Sequence, residues 1–121
     1  MKYLIQINSS PYHSEAADTA YFFVTAVLAK GHQILRVFFY QDGVYHALNQ
    51  AAPPGDEPNK IERWSELAVK HGIDLVICSA AALRRGVWKN SESQLAPGFR
   101  VAGLALSAEA MIEADRVMVF K

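Results

Sequence analysis

Short runs of branched and aromatic residues, separated by stretches of helical periodicity, constrain this chain most. YLIQI at 3–7, ILRVFFY at 34–40, IDLVIC at 73–78, FRVAGL at 99–104 and RVMVF at 116–120 are shorter than a typical globular helix and rich in strand-favouring residues. Between the first two, Ser14 is placed to cap a helix, with Glu15 and Asp18 in its first turn. Ala20, Phe23, Val24, Val27 and Leu28 share one face of that helix, and Gly31 stops it. A turn at QDG and a short helix from about Val44 to Gln50 follow the second run, and APPGDEP then forms a loop. Ile61, Trp64, Leu67 and Ala68 line a further helix ending at Gly72. Ala80 to Arg85 form another closed by Gly86, and SAEAMIEA a last one with Ser107 as its cap.

Strands that read as near-continuous apolar runs and alternate with helices predict an α/β fold. We expect a single domain over 1–121, with a mostly parallel sheet of about five strands and helices on both faces. A chain of 121 residues with 51% hydrophobic content supports one core and not two. In such sheets ligands bind beyond the carboxyl ends of the strands, so NSSPYHS, YQDGVY and CSAAA are the segments in which to seek function.

Several chemistries lack their residues. The loop after Ile7 has no glycine, which rules out a dinucleotide fingerprint there. Gly98 and Gly103 have phosphate-loop spacing, but Leu104 and Ala105 stand where Lys and Ser or Thr are required. No serine lies in a G-x-S-x-G elbow. Twelve basic residues balance twelve acidic ones without a basic stripe, which argues against direct nucleic-acid binding. The opening MKYLIQINSSPYH is neither a secretory signal nor a membrane span, so a cytoplasmic location and no membrane partner are expected. One cysteine and four scattered histidines supply no standard zinc site; neither metal nor organic cofactor is expected. Of the histidines, His32 and His71 flank helix-ending glycines, whereas His13 and His46 fall near the inferred crevice.

The one cysteine, Cys78, falls where the third run meets an alanine-rich helix. Backbone N–H groups at a helix start favour a thiolate, by about 0.3–1 kcal/mol, so a strongly activated thiol would need a further donor or cation. Arg84 lies roughly 9 Å along the helix, near the screening length in physiological salt, and neither it nor Arg85 is well placed to help. A free cysteine is also a common core filler, so a reagent at the sheet rim and an inert packing residue both remain open.

RVFFYQDGVYHA, CSAAALRRGV and ADRVMVF, together with PYHSEAADTAYFFVTAVLAKGH, resemble the DsrE/TusD sulfurtransferase family over nearly the whole chain. The cysteine followed by an alanine run and RRG is the specific part. The resemblance implies a persulfide relay: Cys78 accepts a sulfur from a TusA-like donor protein and passes it to a TusE-like acceptor, for 2-thiolation of the tRNA wobble uridine. It also implies a heterohexamer with TusB-like and TusC-like subunits. The same relay in dissimilatory sulfur oxidation is the alternative within the family, and a non-catalytic assembly or ligand-binding domain is the alternative outside it. Arg84 and Arg85 are candidates for partner docking; Tyr12, Tyr40, Asp42 and Tyr45 are candidates for the crevice walls. Phe22, Phe23, Trp64 and Trp88 are many large apolar groups for so small a domain, which suits assembly. WKNSESQLAPG is shorter than the corresponding stretch of familiar relatives, which bears on the choice of partner.

Overall fold

The computed structural model describes residues 1–49, 52–87 and 94–121. Five parallel strands form one sheet: β1 (Lys2–Ile7), β2 (Gln33–Phe39), β3 (Leu75–Cys78), β4 (Phe99–Ala102) and β5 (Arg116–Phe120), in spatial order β4-β3-β2-β1-β5. The helices are α1 (Ala16–Ala29), α2 (Lys60–His71), α3 (Ser79–Arg84) and α4 (Leu104–Glu113), with a 3-10 helix at Gln41–Ala47. The expected single α/β layer structure with a parallel sheet is what forms.

Because side chains alternate across a strand, the register assigns each residue to a face. Ile5 and Ile7 pair with Val37 and Phe39, and Phe39 and Leu75 share this face with Phe99. It is covered by α1 and α2. Phe23 of α1 packs edge-on against Tyr3, and Trp64 of α2 does so against Phe39 and Tyr21. Trp64 and Phe39 are fully buried, so Trp64 belongs to the core and is unavailable for assembly. Phe23 is half-buried against the core, Phe22 is 63% exposed, and Trp88 lies outside the described residues.

The opposite face carries Leu4, Arg36, Phe38, Val76 and Cys78, and α4 covers part of it, receiving a hydrogen bond from Arg36 Nη1 at the Leu106 carbonyl (2.7 Å). Cover stops short at the β5 edge. Val117 and Val119, paired with Leu4 and Gln6, stay exposed, as do Met111 and Ile112 of α4, Ile112 at 88%. At the other ends of the strands Asp74 sits between Arg36 of β2 (2.7 Å) and Arg100 of β4 (2.7 Å), which ties three strands in register. Arg100, then Arg36, hold its carboxyl below the usual range against the opposing effect of burial.

Three local expectations shift. The short helix expected over Val44 to Gln50 is a 3-10 helix that begins at Gln41 and takes in the QDG turn; Gln50 lies outside the described residues. Gly43 permits this by close approach: a Cβ there would lie 2.1 Å from the Ile7 carbonyl oxygen. Ser14 stands one residue before the N-cap of α1, and its hydroxyl accepts from the Ala16 N–H (3.3 Å). Ser107 caps nothing, since α4 starts three residues earlier behind Gly103 and buries Ser107 inside the helix. A cap absent from the sequence reading is Asn59, whose side-chain oxygen accepts from the N–H groups of Ile61 and Glu62 and starts α2.

Candidate functional site

The carboxyl ends of β1, β2 and β3 lead into residues 8–15, the 3-10 helix and α3, as the α/β rule requires. Cys78 is the last residue of β3 and stands at the N-cap of α3, with extended backbone (φ −67°, ψ 123°). It shares its sheet face with Val76 and Phe38. Tyr40, one residue past β2, stacks on Phe38 on that face (6.2 Å between rings, 22°). The structure therefore puts the thiol at the strand-to-helix junction named from the sequence.

The sequence left open whether the thiol is a reagent at the rim or a packing residue, and two observations bear on that choice. The thiol is not presented to solvent: Cys78 is 1% exposed and packs in the core with Ala81, Ala82 and Val87. Nor does its side chain make a capping hydrogen bond to α3, a helix of only six residues. The cause is the apolar sequence itself. AALRRGV turns its small alanines and Val87 inward over the end of β3, and closure of that layer removes the cysteine from water.

The other candidates divide. Asp42, in the first turn of the 3-10 helix, and Arg85, at the C-cap of α3, are brought together: Arg85 Nε donates to Asp42 Oδ1 at 2.8 Å, and Nη1 to the Ala81 carbonyl at 3.2 Å. Arg84 is exposed, and its side chain makes no hydrogen bond or ion pair among the described residues. Tyr12 is drawn elsewhere. At φ 67° its hydroxyl donates to the Pro58 carbonyl (2.7 Å) and accepts from the Lys60 N–H (3.0 Å), and Lys60 Nζ lies 5.0 Å from the ring. It thus fastens the β1–α1 loop to the start of α2 and forms no crevice wall. Tyr45 is half-buried against the core.

A polar cavity of about 540 Å³ does open at the carboxyl end of β1, lined by Asn8, Ser9, Ser10, His13, Asp42 and others. Asp42 is the one proposed wall residue that lines it. A second cavity, about 650 Å³, runs along α2 between Ile61, Val69, Leu48 and Pro97 and does not include Cys78. The two crevice histidines differ. His13 lines the polar cavity, whereas His46 is fully buried, its Nε2–H donating to the Ser9 carbonyl (3.1 Å). Burial lowers the His46 pKa to about 4, so the ring is neutral and serves as a strut between the β1–α1 loop and the 3-10 helix. A buried His–carbonyl tie leaves no pattern in the sequence, and the reading from residues missed it.

Among the described residues no three of His, Cys, Asp and Glu gather as a metal site, and no helix is long and apolar enough to cross a membrane. Chemically, the arrangement holds one thiol, buried at the end of an interior strand and followed by a short helix whose C-cap residue forms an ion pair with the 3-10 helix.

Comparison with known proteins fits this geometry. The DsrE/DsrF-like family matches residues 1–120. A protein of Vibrio vulnificus named sulfurtransferase TusD homolog is 44% identical over 99% of this chain and 98% of its own. An Allochromatium vinosum protein provisionally named sulfurtransferase DsrE has the same identity and coverage. Each alignment spans 128 positions, more than the 121 residues of this chain, so the relatives carry extra residues. The WKNSESQLAPG stretch, a candidate place for the shortening, lies for residues 88–93 outside the described residues. Among solved structures, the ychN protein from E. coli superposes with a TM-score of 0.85 over 99% of both chains at 24% identity, which speaks for the fold. With the family match over residues 1–120 and the near-full-length relatives in agreement, this chain belongs to the DsrE/DsrF-like family.

Proposed function

We propose that this chain is a sulfur-relay subunit in which Cys78 carries a sulfane sulfur between two proteins. The Cys78 thiolate attacks the outer sulfur of a donor persulfide, R–S–SH. The bond between the two donor sulfurs breaks, the donor leaves as R–S⁻, and Cys78 becomes Cys–S–SH. An acceptor cysteine thiolate then takes the outer sulfur by the same exchange and returns Cys78 to the thiolate. No net oxidation occurs, and no cofactor takes part.

The observation that carries this reading is the pairing of position with kinship. The only sulfhydryl of the chain ends strand β3, in a sequence matched from end to end by relatives named sulfurtransferase. The exposed Met111, Ile112, Val117 and Val119 support membership in a larger assembly, with TusB-like and TusC-like subunits as the companions. A net charge of zero suits a subunit that touches other proteins while the tRNA is held elsewhere. The destination we propose for the sulfur is tRNA 2-thiolation, through a TusA-like donor and a TusE-like acceptor, with dissimilatory sulfur oxidation as the alternative to which the equally similar DsrE relative points.

One observation favours a second reading, a non-catalytic assembly domain: the burial of Cys78 at 1% exposure. Incubation with a persulfide donor followed by intact-mass measurement separates the two. Wild type should gain the mass of one sulfur atom, reversed by reductant, and Cys78→Ser should gain none. Gain by both proteins, or by neither with a donor that loads other thiols, would refute the relay.

A further inference from the structure

A thiol that is 1% exposed cannot meet another protein's sulfur until something moves, and the structure distinguishes a fixed wall from a movable one. The 3-10 helix, which packs against both β3 and α3, is the fixed wall at this end of the sheet. Gly43 is wedged against the Ile7 carbonyl, the Tyr40 N–H donates to the same carbonyl (2.9 Å), His46 is bonded to Ser9, and the Ala96 N–H donates to the Ala47 carbonyl (2.7 Å). The other wall is α3, six residues long, with no side-chain cap at its start. A helix that short has little stability of its own and depends on what it packs against. Among the described residues, Arg85 makes the one side-chain hydrogen bond that joins the end of α3 to another element, through Asp42 of the 3-10 helix. Its second bond, to the Ala81 carbonyl, grips α3 itself.

We propose that the Asp42–Arg85 ion pair is the latch that holds α3 closed over Cys78 and so sets how often the thiol becomes reachable. This rests on Cys78 as the sulfur carrier and adds the device that admits its partners. Neither residue touches sulfur; both are positioning residues that act through α3. The Asp42 side chain is 59% exposed and that of Arg85 26%, so water, salt and a competing carboxylate all have access to the pair. A bond of this kind is weak enough to open in ordinary thermal motion and strong enough to bias the closed state.

The test is the second-order rate at which Cys78 reacts with N-ethylmaleimide, an uncharged reagent, at low and high salt. Asp42→Asn and Arg85→Gln should each react about two- to fivefold faster than wild type, the range that a partly exposed ion pair sets. High salt should accelerate wild type and leave the two variants unchanged. The charge-swapped double variant, Asp42→Arg with Arg85→Asp, should recover the slow rate and its salt sensitivity, which a merely structural role would not produce. Asn59→Ala, which removes the side-chain cap of α2, serves as control for general destabilisation and should leave the rate as it is. Single variants at the wild-type rate, a swap no slower than the singles, or an equal acceleration by Asn59→Ala would each overturn the latch. Failure of wild type to take up sulfur from a donor, with this alkylation pattern intact, would sink the relay and leave the latch standing.

Discussion

The end of β1 and the end of β3 lie on the same edge of the sheet and are built in opposite ways. Beyond β1 the chain is polar and open. Asn8, Ser9, Ser10 and His13 line a cavity of about 540 Å³, and the backbone nearby takes positive φ at Tyr12 (67°) and Gln41 (50°). Beyond β3 the chain is apolar and shut, with Cys78, Ala81, Ala82 and Val87 each at 1% exposure or less. The open end has room and no strong nucleophile; the closed end has the nucleophile and no room. The proposed relay would gain from that division, because a sealed persulfide is protected from stray thiols and oxidants and reacts with partners able to open the site. Nucleophile and cavity need not coincide when the substrate arrives on another protein.

The largest way to break the comparison is Gly43→Ala. The 3-10 helix stands between the two ends, and a Cβ placed 2.1 Å from the Ile7 carbonyl oxygen must push it away. We expect a loss of about 3 kcal/mol in urea unfolding and faster alkylation of Cys78, since the fixed wall has moved. Unchanged stability would show that the 3-10 helix is not anchored there.

A pH titration sharpens it next. The His46 pKa is about 4 in the folded chain against 6.5 for a free side chain, so between those values the unfolded state binds the extra proton. The stability contributed by the neutral buried ring is present above about 6.5 and is lost as pH falls to about 4, by up to about 3 kcal/mol. His46→Gln can keep a donor for the Ser9 carbonyl and cannot titrate; its unfolding free energy should lose this part of the pH dependence. The carboxyls of Asp18 and Asp74 have lowered pKa values, Asp18 because Lys60 and Arg63 outweigh its burial. Their contributions are present above about 4 and are lost only below it, outside the His46 window.

The smallest effect is expected at the open end. His13→Ala should change stability by less than about 0.5 kcal/mol and leave both sulfur uptake and alkylation of Cys78 as in wild type. A measurable loss of uptake would show that the two ends are coupled.

The sequence by itself determined the strands and most of the helices, because period and composition are local properties: IDLVIC reads as a buried strand wherever it is placed, and Gly72, at φ 66°, marks the end of α2 without reference to its neighbours. It also determined that any thiol chemistry resides at Cys78, there being no other cysteine. It misplaced the start of α4 at Ser107 and the start of the 3-10 helix, since Gly43 is needed for a contact with β1, more than thirty residues away in the chain. Tertiary structure alone decided that Tyr12 ties down α2, that Asp42 meets Arg85, that His46 is neutral, and that Cys78 is shut away. Each of these depends on which distant groups come within a few ångströms and on how much water remains beside them, and burial is a property of the assembled layers that no single segment carries.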